Sequence, residues 1–268
     1  MEETLAILGT GRLGEALVDG LLRSGGALPD RLRCSTRRPA RARELTERFG
    51  VKADTDSAGA AAESDVLVLA VKPQNLRDLL AEIGPKVSAS KTVISFVAAV
   101  PTGVIEELLG EVPVVRVMSN TPVQVDEAMS VIAPGRFAEE RHLEMAERIL
   151  GRVGRVVRLP EEHLDAVTAL SGSGPAYFFL LAEAMIDAGI LLGLSRDVAT
   201  ELIIQTMVGS AKMLRDTGRH PVELREAVTS PGGTTIAAIR VLEEERVRAA
   251  FLNAIEAAQR RAAELAGG

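Results

Sequence analysis

The sequence is poor in aromatic side chains, with no tryptophan, one tyrosine and six phenylalanines in 268 residues. Because 47% of the residues are nonetheless hydrophobic, any core has to be built from Leu, Val, Ile and Ala. Cysteine is almost absent. The single Cys34 excludes an internal disulfide framework and any multi-cysteine metal site, and it reads as a small buried apolar residue. Positive charge is also short: 31 Lys and Arg stand against 37 Asp and Glu, a net charge of −6. That balance argues against a general nucleic-acid or anionic-membrane binder. The Met-Glu-Glu start has no basic-then-apolar leader, so the expectation is a cytoplasmic protein. The longest apolar run, YFFLLAEAMIDAGILLGL (Tyr177–Leu194), carries Glu183 and Asp187. Both acids would lie at membrane depth, and the run is therefore predicted to be a buried helix of a soluble protein.

What is present falls into two styles. Up to about Val157, the runs TLAIL, RLRCST, DVLVLAV, KTVISFV and VPVVRV have the β-branched, continuously apolar character of strands buried on both faces. Between them, RLGEALVDGLLRSG, PARARELTERFG and PQNLRDLLAEIG show helical spacing with glycine at their ends. Strand and helix in alternation predict an α/β fold with a mostly parallel, doubly wound sheet. After Pro160 the strand signals stop, and consecutive helices are broken at Gly172–Pro175, Gly193–Ser195, Gly218–Pro221 and Pro231–Gly233. The expected domains are residues 1–160, dinucleotide-binding, and 161–268, all-helical, with no repeat and no low-complexity linker between them.

The glycines of LAILGTGRLGEAL have GxGxxG spacing at Gly9, Gly11 and Gly14, directly after the first strand and at the start of a helix. Gly9 permits the tight turn, Gly11 lets the backbone approach a pyrophosphate, and Gly14 allows close helix packing. Thr10, Arg12 and Leu13 belong to the same loop, at a helix N-terminus that offers free N–H groups to an anion. The second strand runs into Cys34-Ser35-Thr36-Arg37-Arg38. Asp30 precedes that strand instead of ending it, whereas two hydroxyls and two guanidinium groups suit a 2′-phosphate. The predicted cofactor is NADP(H) in preference to NAD(H). A solvated basic face accounts for Arg41 and Arg43. Two further strand ends, AVKPQ (Ala70–Gln74) and MSNTP (Met118–Pro122), lie at the edge where open α/β sheets bind ligands.

Together these motifs resemble pyrroline-5-carboxylate reductases. The resemblance is nearly full length and rests on GxGxxG, AVKPQ, SFVAAV, MSNTP, DAVTALSGSGPAYFFLLAEAM and VTSPGGTTIAAIRVLEE. Departures are Ser57 where the family often has Asn, VDEAM where it has a glycine-rich segment, and Ala227 where many members have Asn. The resemblance implies NADPH-dependent reduction of 1-pyrroline-5-carboxylate to proline by a homodimer with interlocked helical domains, often assembled further into rings. It places Ala70, Val71, Lys72, Pro73 and Ala98 along the cofactor, with Ser57 near its adenosine and Asn120 also at the site. It also implies a substrate pocket at the domain junction, with Thr234 and Thr235 contacting substrate beside Glu161, Ser230 and Gly233.

Such a substrate gives the hydroxyl-rich stretch VTSPGGTTIAAI (Val228–Ile239) something to hold. Backbone N–H groups at Gly233, Thr234 and Thr235, at the start of a predicted helix, can bind a carboxylate without a lysine. Related hydroxyacid dehydrogenases carry a lysine in a GxGxxxK helix; Gly172-Ser173-Gly174 has that spacing, but Phe178 takes the lysine's place. His142, His163 and His220 form no constellation, and their charged or turn-like surroundings predict solvated positions. An imine needs no strong base, since it is protonated readily and its carbon then accepts hydride. A hydroxyl on the ring nitrogen suffices, and Thr235 is the candidate catalytic residue. The alternatives are another imine or ketimine reductase, or a nucleotide-binding regulator without turnover. A C-terminal stripe, Phe251, Ala254, Ile255, Ala258, Ala262 and Leu265, has helical spacing; burial within one subunit is its simplest reading.

Overall fold

In the computed structural model, residues 3–267 are described. The strands are β1 (Leu5–Leu8), β2 (Leu32–Ser35), β3 (Lys52–Asp54), β4 (Val66–Leu69), β5 (Thr92–Ser95), β6 (Val114–Met118), β7 (Ala128–Pro134) and β8 (Gly154–Arg158). They form one sheet in the order β3-β2-β1-β4-β5-β6-β7-β8. Every neighbouring pair is parallel except β6 and β7. The helices between them are α1 (Arg12–Arg23), α2 (Pro39–Phe49), α3 (Ser57–Ala62), α4 (Leu76–Ile83), α5 (Thr102–Leu109) and α6 (Glu140–Leu150), followed by the short α7 (Leu164–Val167).

The apolar strands bury both faces, as their sequences require. Leu5 and Ile7 of β1 join Leu17, Leu21 and Ile149 in one core layer. Ala6 and Leu8 join Leu67, Leu80 and Ile105 in the other. Side chains alternate across a strand, so each β1 residue feeds the layer opposite to its neighbour's. The chain builds β1, β2 and β3 outward in one direction and then places β4 on the free side of β1. That reversal opens a crevice at the carboxyl ends of β1 and β4, where the glycine loop emerges.

Three strands lack the continuous apolar run of the other five. β3 spans three residues, and β8 (GRVVR) alternates between half-buried and exposed positions. β7 reverses direction through a turn in which Asp126 takes φ 60°. Arg23 of α1 pins that turn, bonding Asp126 Oδ1 at 2.8 Å and Oδ2 at 2.9 Å.

His142 departs from its solvated expectation. It is buried, at 5% exposure, and its Nδ1 accepts a hydrogen bond from the Glu139 N–H at 2.8 Å, closing the N-terminus of α6. The guanidinium of its neighbour Arg141 lies against the ring, with Nε 3.2 Å from His142 Nε2. Burial pushes its pKa below the usual histidine range, with the adjacent Arg141 charge acting in the same sense.

By its contacts the chain separates into two compact units, residues 1–173 with 258–268, and residues 174–257. The sheet ends at Arg158, but Leu164 and Val167 of α7 pack with Val131 and Ala133 of β7. The first unit thus continues past the last strand to Ser173.

The second unit contains α8 (Gly174–Leu191), α9 (Arg196–Thr217), α10 (Pro221–Ala227), α11 (Thr234–Glu244) and the first half of α12 (Val247–Gly267). Ser195 caps α9 by accepting from the Val198 N–H at 3.4 Å. Here the expectation of a buried helix over Tyr177–Leu194 is corrected. Phe178, Phe179 and Leu180 are 61%, 67% and 67% exposed within the chain. Of the C-terminal stripe only Ala262 is buried, while Phe251 and Leu265 are exposed.

Candidate functional site

The crevice is a cavity of about 440 Å³. Its lining brings together Gly9, Thr10, Gly11, Ser35, Thr36, Arg37, Arg38, Ser57, Ala70, Val71 and Lys72. These come from the ends of β1, β2 and β4 and from the start of α3, elements far apart in sequence that the parallel sheet aligns at one edge.

The glycine loop is anchored before it is offered to a ligand. The Ser35 carbonyl accepts from the Gly9 N–H at 3.1 Å, the Thr10 N–H at 3.1 Å and the Thr10 hydroxyl at 2.8 Å. Thr10 is therefore buried, with its hydroxyl spent on β2. Gly9 adopts φ +95° against the Val71 backbone, and a Cβ there would meet Val71 N at 2.9 Å. A Cβ on Gly14 would meet the Gly9 carbonyl at 2.9 Å. Gly11 differs, since a Cβ there would meet nothing within 4 Å. Its open side leaves room for an anion at the N-terminus of α1, where free backbone N–H groups are available.

At the tip of β2, neither Arg37 nor Arg38 has an ion-pair partner among the described residues. Arg41, four residues on, is only 13% exposed at its side chain and pairs with Glu15 and Glu44. It is a bridge between α1 and α2, which corrects its reading as a solvated residue. Arg38 feels Glu44 only at longer range, and both Arg37 and Arg38 line the cavity, an arrangement that suits a phosphate. Ser35 Oγ donates to Ser57 Oγ at 3.1 Å, and the Ser57 N–H bonds Glu82 Oε1 at 3.0 Å.

Other sequence candidates lie outside this lining. Arg12 is exposed at the start of α1, Leu13 packs against the core, and Gly14 is buried. Pro73 opens the turn before α4. Ala98 is exposed on the loop after β5, where the next residue, Ala99, is held at φ 60°. The Asn120 amide is engaged on both sides, its oxygen accepting from the Met129 N–H at 2.9 Å and its nitrogen donating to the Ser171 carbonyl at 3.1 Å. Glu161 accepts from the Thr102 N–H at 2.8 Å, the Thr102 hydroxyl at 2.9 Å and Arg116 at 3.2 Å.

The sequence reading missed Thr55, Asn75, Asp78, Leu79 and Glu82, which also line the cavity. Their signal was topological: Thr55 follows the end of β3 at the same sheet edge, and α4 follows β4 and flanks the crevice, so residues at its N-terminal turn and one turn further face the groove.

In the second unit, α11 begins after Pro231-Gly232-Gly233, with Gly232 at φ +69°. The Gly233 N–H donates to the Ser230 carbonyl at 3.1 Å. It is thus taken, which corrects its place among the anion donors. The N–H groups of Thr234 and Thr235 precede the first intrahelical bond, made by Ala237 to the Gly233 carbonyl. No side chain caps the helix, and neither threonine hydroxyl has a hydrogen-bond partner among the described residues. Thr235 is half-buried. The start of α11 thus presents backbone donors and an unspent hydroxyl together.

Residues 161–265 match the family model described as pyrroline-5-carboxylate reductase dimerisation. Residues 4–112 match that of NADP oxidoreductase, coenzyme F420-dependent. Among curated relatives, the pyrroline-5-carboxylate reductase of Corynebacterium melassecola is 43% identical over 98% of both chains. That of Arabidopsis thaliana is 39% identical over 97% of this chain and 95% of its own. Among solved structures, the pyrroline-5-carboxylate reductase of Coxiella burnetii superposes with a TM-score of 0.93 at 36% identity, covering 99% of both chains. The Plasmodium falciparum pyrroline carboxylate reductase with NADP bound superposes with a TM-score of 0.89 at 28% identity, covering 99% of this chain and 98% of its own.

Proposed function

The chain belongs to the pyrroline-5-carboxylate reductase family, and from that premise we propose how its own residues serve the reaction. The enzyme reduces 1-pyrroline-5-carboxylate to L-proline, the last step of proline biosynthesis, with NADPH as reductant. When bound, NADPH supplies the hydride; everything else is binding, orientation and protonation.

Gly11 and the N-terminus of α1 hold the pyrophosphate, while Arg37, Arg38, Ser35 and Thr36 hold the 2′-phosphate end. The observation behind this reading is the pair of guanidinium groups left without carboxylate partners at the cavity wall. The loop from Ala70 to Lys72 lies along the cofactor.

The start of α11 holds the substrate. The Thr234 and Thr235 N–H groups bind its carboxylate, and the dipole of the eleven-residue helix favours the anion. The Thr235 hydroxyl hydrogen-bonds the ring nitrogen and fixes the C=N bond in orientation. The imine takes one proton from water, its carbon takes the hydride, and the resulting amine takes a second proton from solvent. No side chain has to remove a proton, so positioning carries much of the acceleration. On the family resemblance, Glu161 and Ser230 are further substrate contacts.

The chain is a homo-oligomer by its dimerisation domain. We read the exposed face of α8 as covered by a second copy, the dimers as assembling further, and the location as cytoplasmic. The segment Glu161–Leu191 is long and apolar enough to cross a membrane by length and composition alone, but the dimerisation match spans it. The decisive experiment follows NADPH absorbance on addition of synthetic 1-pyrroline-5-carboxylate. Substrate-dependent oxidation with proline formed in equal amount is expected, and no oxidation would overturn the assignment.

A further inference from the structure

We propose that Asn75 is a positioning residue that sets the preference for NADPH, acting through Arg37. The inference rests on the reading that Arg37 meets the 2′-phosphate.

Asn75 closes the 3₁₀ turn between β4 and α4, its N–H bonded to the Lys72 carbonyl at 2.9 Å. The turn leaves its side chain half-buried in the cavity wall. There Asn75 Oδ1 accepts from Arg37 Nη1 at 3.2 Å. β2 and β4 flank β1 on opposite sides, so this bond joins the two walls of the crevice across the strand that carries the glycine loop. Asn75 makes no cap bond to α4, and its side-chain oxygen is spent on Arg37.

The chemistry of the partner matters. An arginine on an exposed loop samples many rotamers, and capturing a phosphate requires one of them. An amide oxygen holds the guanidinium through one of its five N–H donors and leaves the others for phosphate oxygens. It does so without neutralising the charge, which a carboxylate in the same place would do. The nearby arginines show that alternative: Arg41 is tied to Glu15 and Glu44, and Arg33 to Glu63. An acid one turn along, Asp78, also lines the cavity but forms no ion pair with Arg37. The arrangement orients a full positive charge, and only a cofactor with a 2′-phosphate benefits.

The test is steady-state kinetics with NADPH and with NADH on Asn75→Ala, Asn75→Asp, Arg37→Ala and the double variant Arg37→Ala/Asn75→Ala, each checked by thermal melting. Loss of one such hydrogen bond predicts a rise of roughly two- to tenfold in KM for NADPH in Asn75→Ala, with a smaller rise in KM for NADH. Asn75→Asp raises KM for NADPH further, because it neutralises Arg37 and repels the phosphate. The double variant matches Arg37→Ala, because Asn75 has nothing left to position. If Arg37→Ala leaves the NADPH/NADH ratio intact, the phosphate assignment of Arg37 falls, and this inference with it. If Arg37→Ala is selective while Asn75→Ala has no effect, affects both cofactors equally, or adds fully to Arg37→Ala, only the role of Asn75 is overturned.

Discussion

Glu161 holds Thr102 twice, accepting from its N–H at 2.8 Å and from its hydroxyl at 2.9 Å. Thr102 is the first residue of α5, so the carboxylate caps that helix from 59 residues away. The same carboxylate pairs with Arg116, whose side chain is only 9% exposed. A carboxylate has about four acceptor sites, and these three bonds leave one, which the proposed substrate contact would use.

Separating the two roles requires two variants. Glu161→Ala should destabilise the protein by about 1–3 kcal/mol, because it removes a cap and strands a buried guanidinium. Glu161→Gln can still accept from the Thr102 N–H and should lose less. Thermal melts rank the variants; a raised KM for the imino acid in a Gln variant of near-native melting temperature identifies the substrate contact.

The glycines of the first loop divide by what surrounds them. Gly9→Ala should fail to fold stably, since its φ of +95° and the Val71 backbone both exclude a Cβ. Gly11→Ala should fold normally, because the space is open, yet lose NADPH affinity as the methyl occupies the approach of the pyrophosphate. Circular dichroism melts and cofactor fluorescence titration on the two variants check this. Equal loss of stability in both would assign Gly11 to the fold.

His142 predicts a pH dependence. Its pKa is lowered in the folded state from an ordinary 6.5, chiefly by desolvation. Below pH 6.5 the unfolded chain therefore binds more protons than the folded one. Stability is present above that pH and falls as pH drops, until the folded imidazole is charged too. The loss is bounded by about 1.4 kcal/mol per pH unit. His142→Gln retains an acceptor for the Glu139 N–H but cannot titrate. The difference in urea midpoint between wild type and variant should shrink or reverse between pH 7.5 and pH 5. A constant difference would remove His142 from the pH response.

Cys34 should be chemically silent. Burial, followed by the negative charge of Asp54, pushes its thiol up to about 12. At pH 8 a disulfide reagent should release no thiol signal from the native protein and one equivalent in denaturant. Rapid native-state reaction would mean that β2 opens.

How much of this was legible depended on where each residue's partners lie. The five apolar strands, the glycine loop and Cys34 could be read because their roles follow from local pattern. β8 could not, because an edge strand with half its residues in water lacks the continuous run. α8 was legible as apolar but not as exposed, since periodicity cannot distinguish burial within a chain from burial against another copy. His142 and Asn75 were hidden for a related reason. Their neighbours in sequence suggest a solvated helix and an ordinary Pro-Gln-Asn turn, while what fixes them is a helix terminus and an arginine 38 residues away. The loop before α11 was recognised from its hydroxyls and prolyl-glycine turn, but only the backbone bonds reveal that Gly233 is already engaged.

The sharpest expectation concerns Thr235. A threonine at the start of a helix would ordinarily be explained as a cap, but Gly233 holds the cap position of α11 and no side chain makes the cap bond. Removing the Thr235 hydroxyl should therefore leave the melting temperature nearly unchanged, and NADPH affinity with it. If the hydroxyl bonds the imine nitrogen, Thr235→Ala should lower kcat about tenfold to a thousandfold, or roughly 1.5–4 kcal/mol of transition-state stabilisation. Thr235→Ser keeps the hydroxyl and loses only a methyl, so it should retain much of the rate. A lowered melting temperature with undiminished activity in the folded fraction would instead make Thr235 a structural residue. Thr234→Ala supplies the internal control: its backbone N–H survives the substitution, so carboxylate binding should persist, and a loss as large as that of Thr235→Ala would show that the hydroxyls act together.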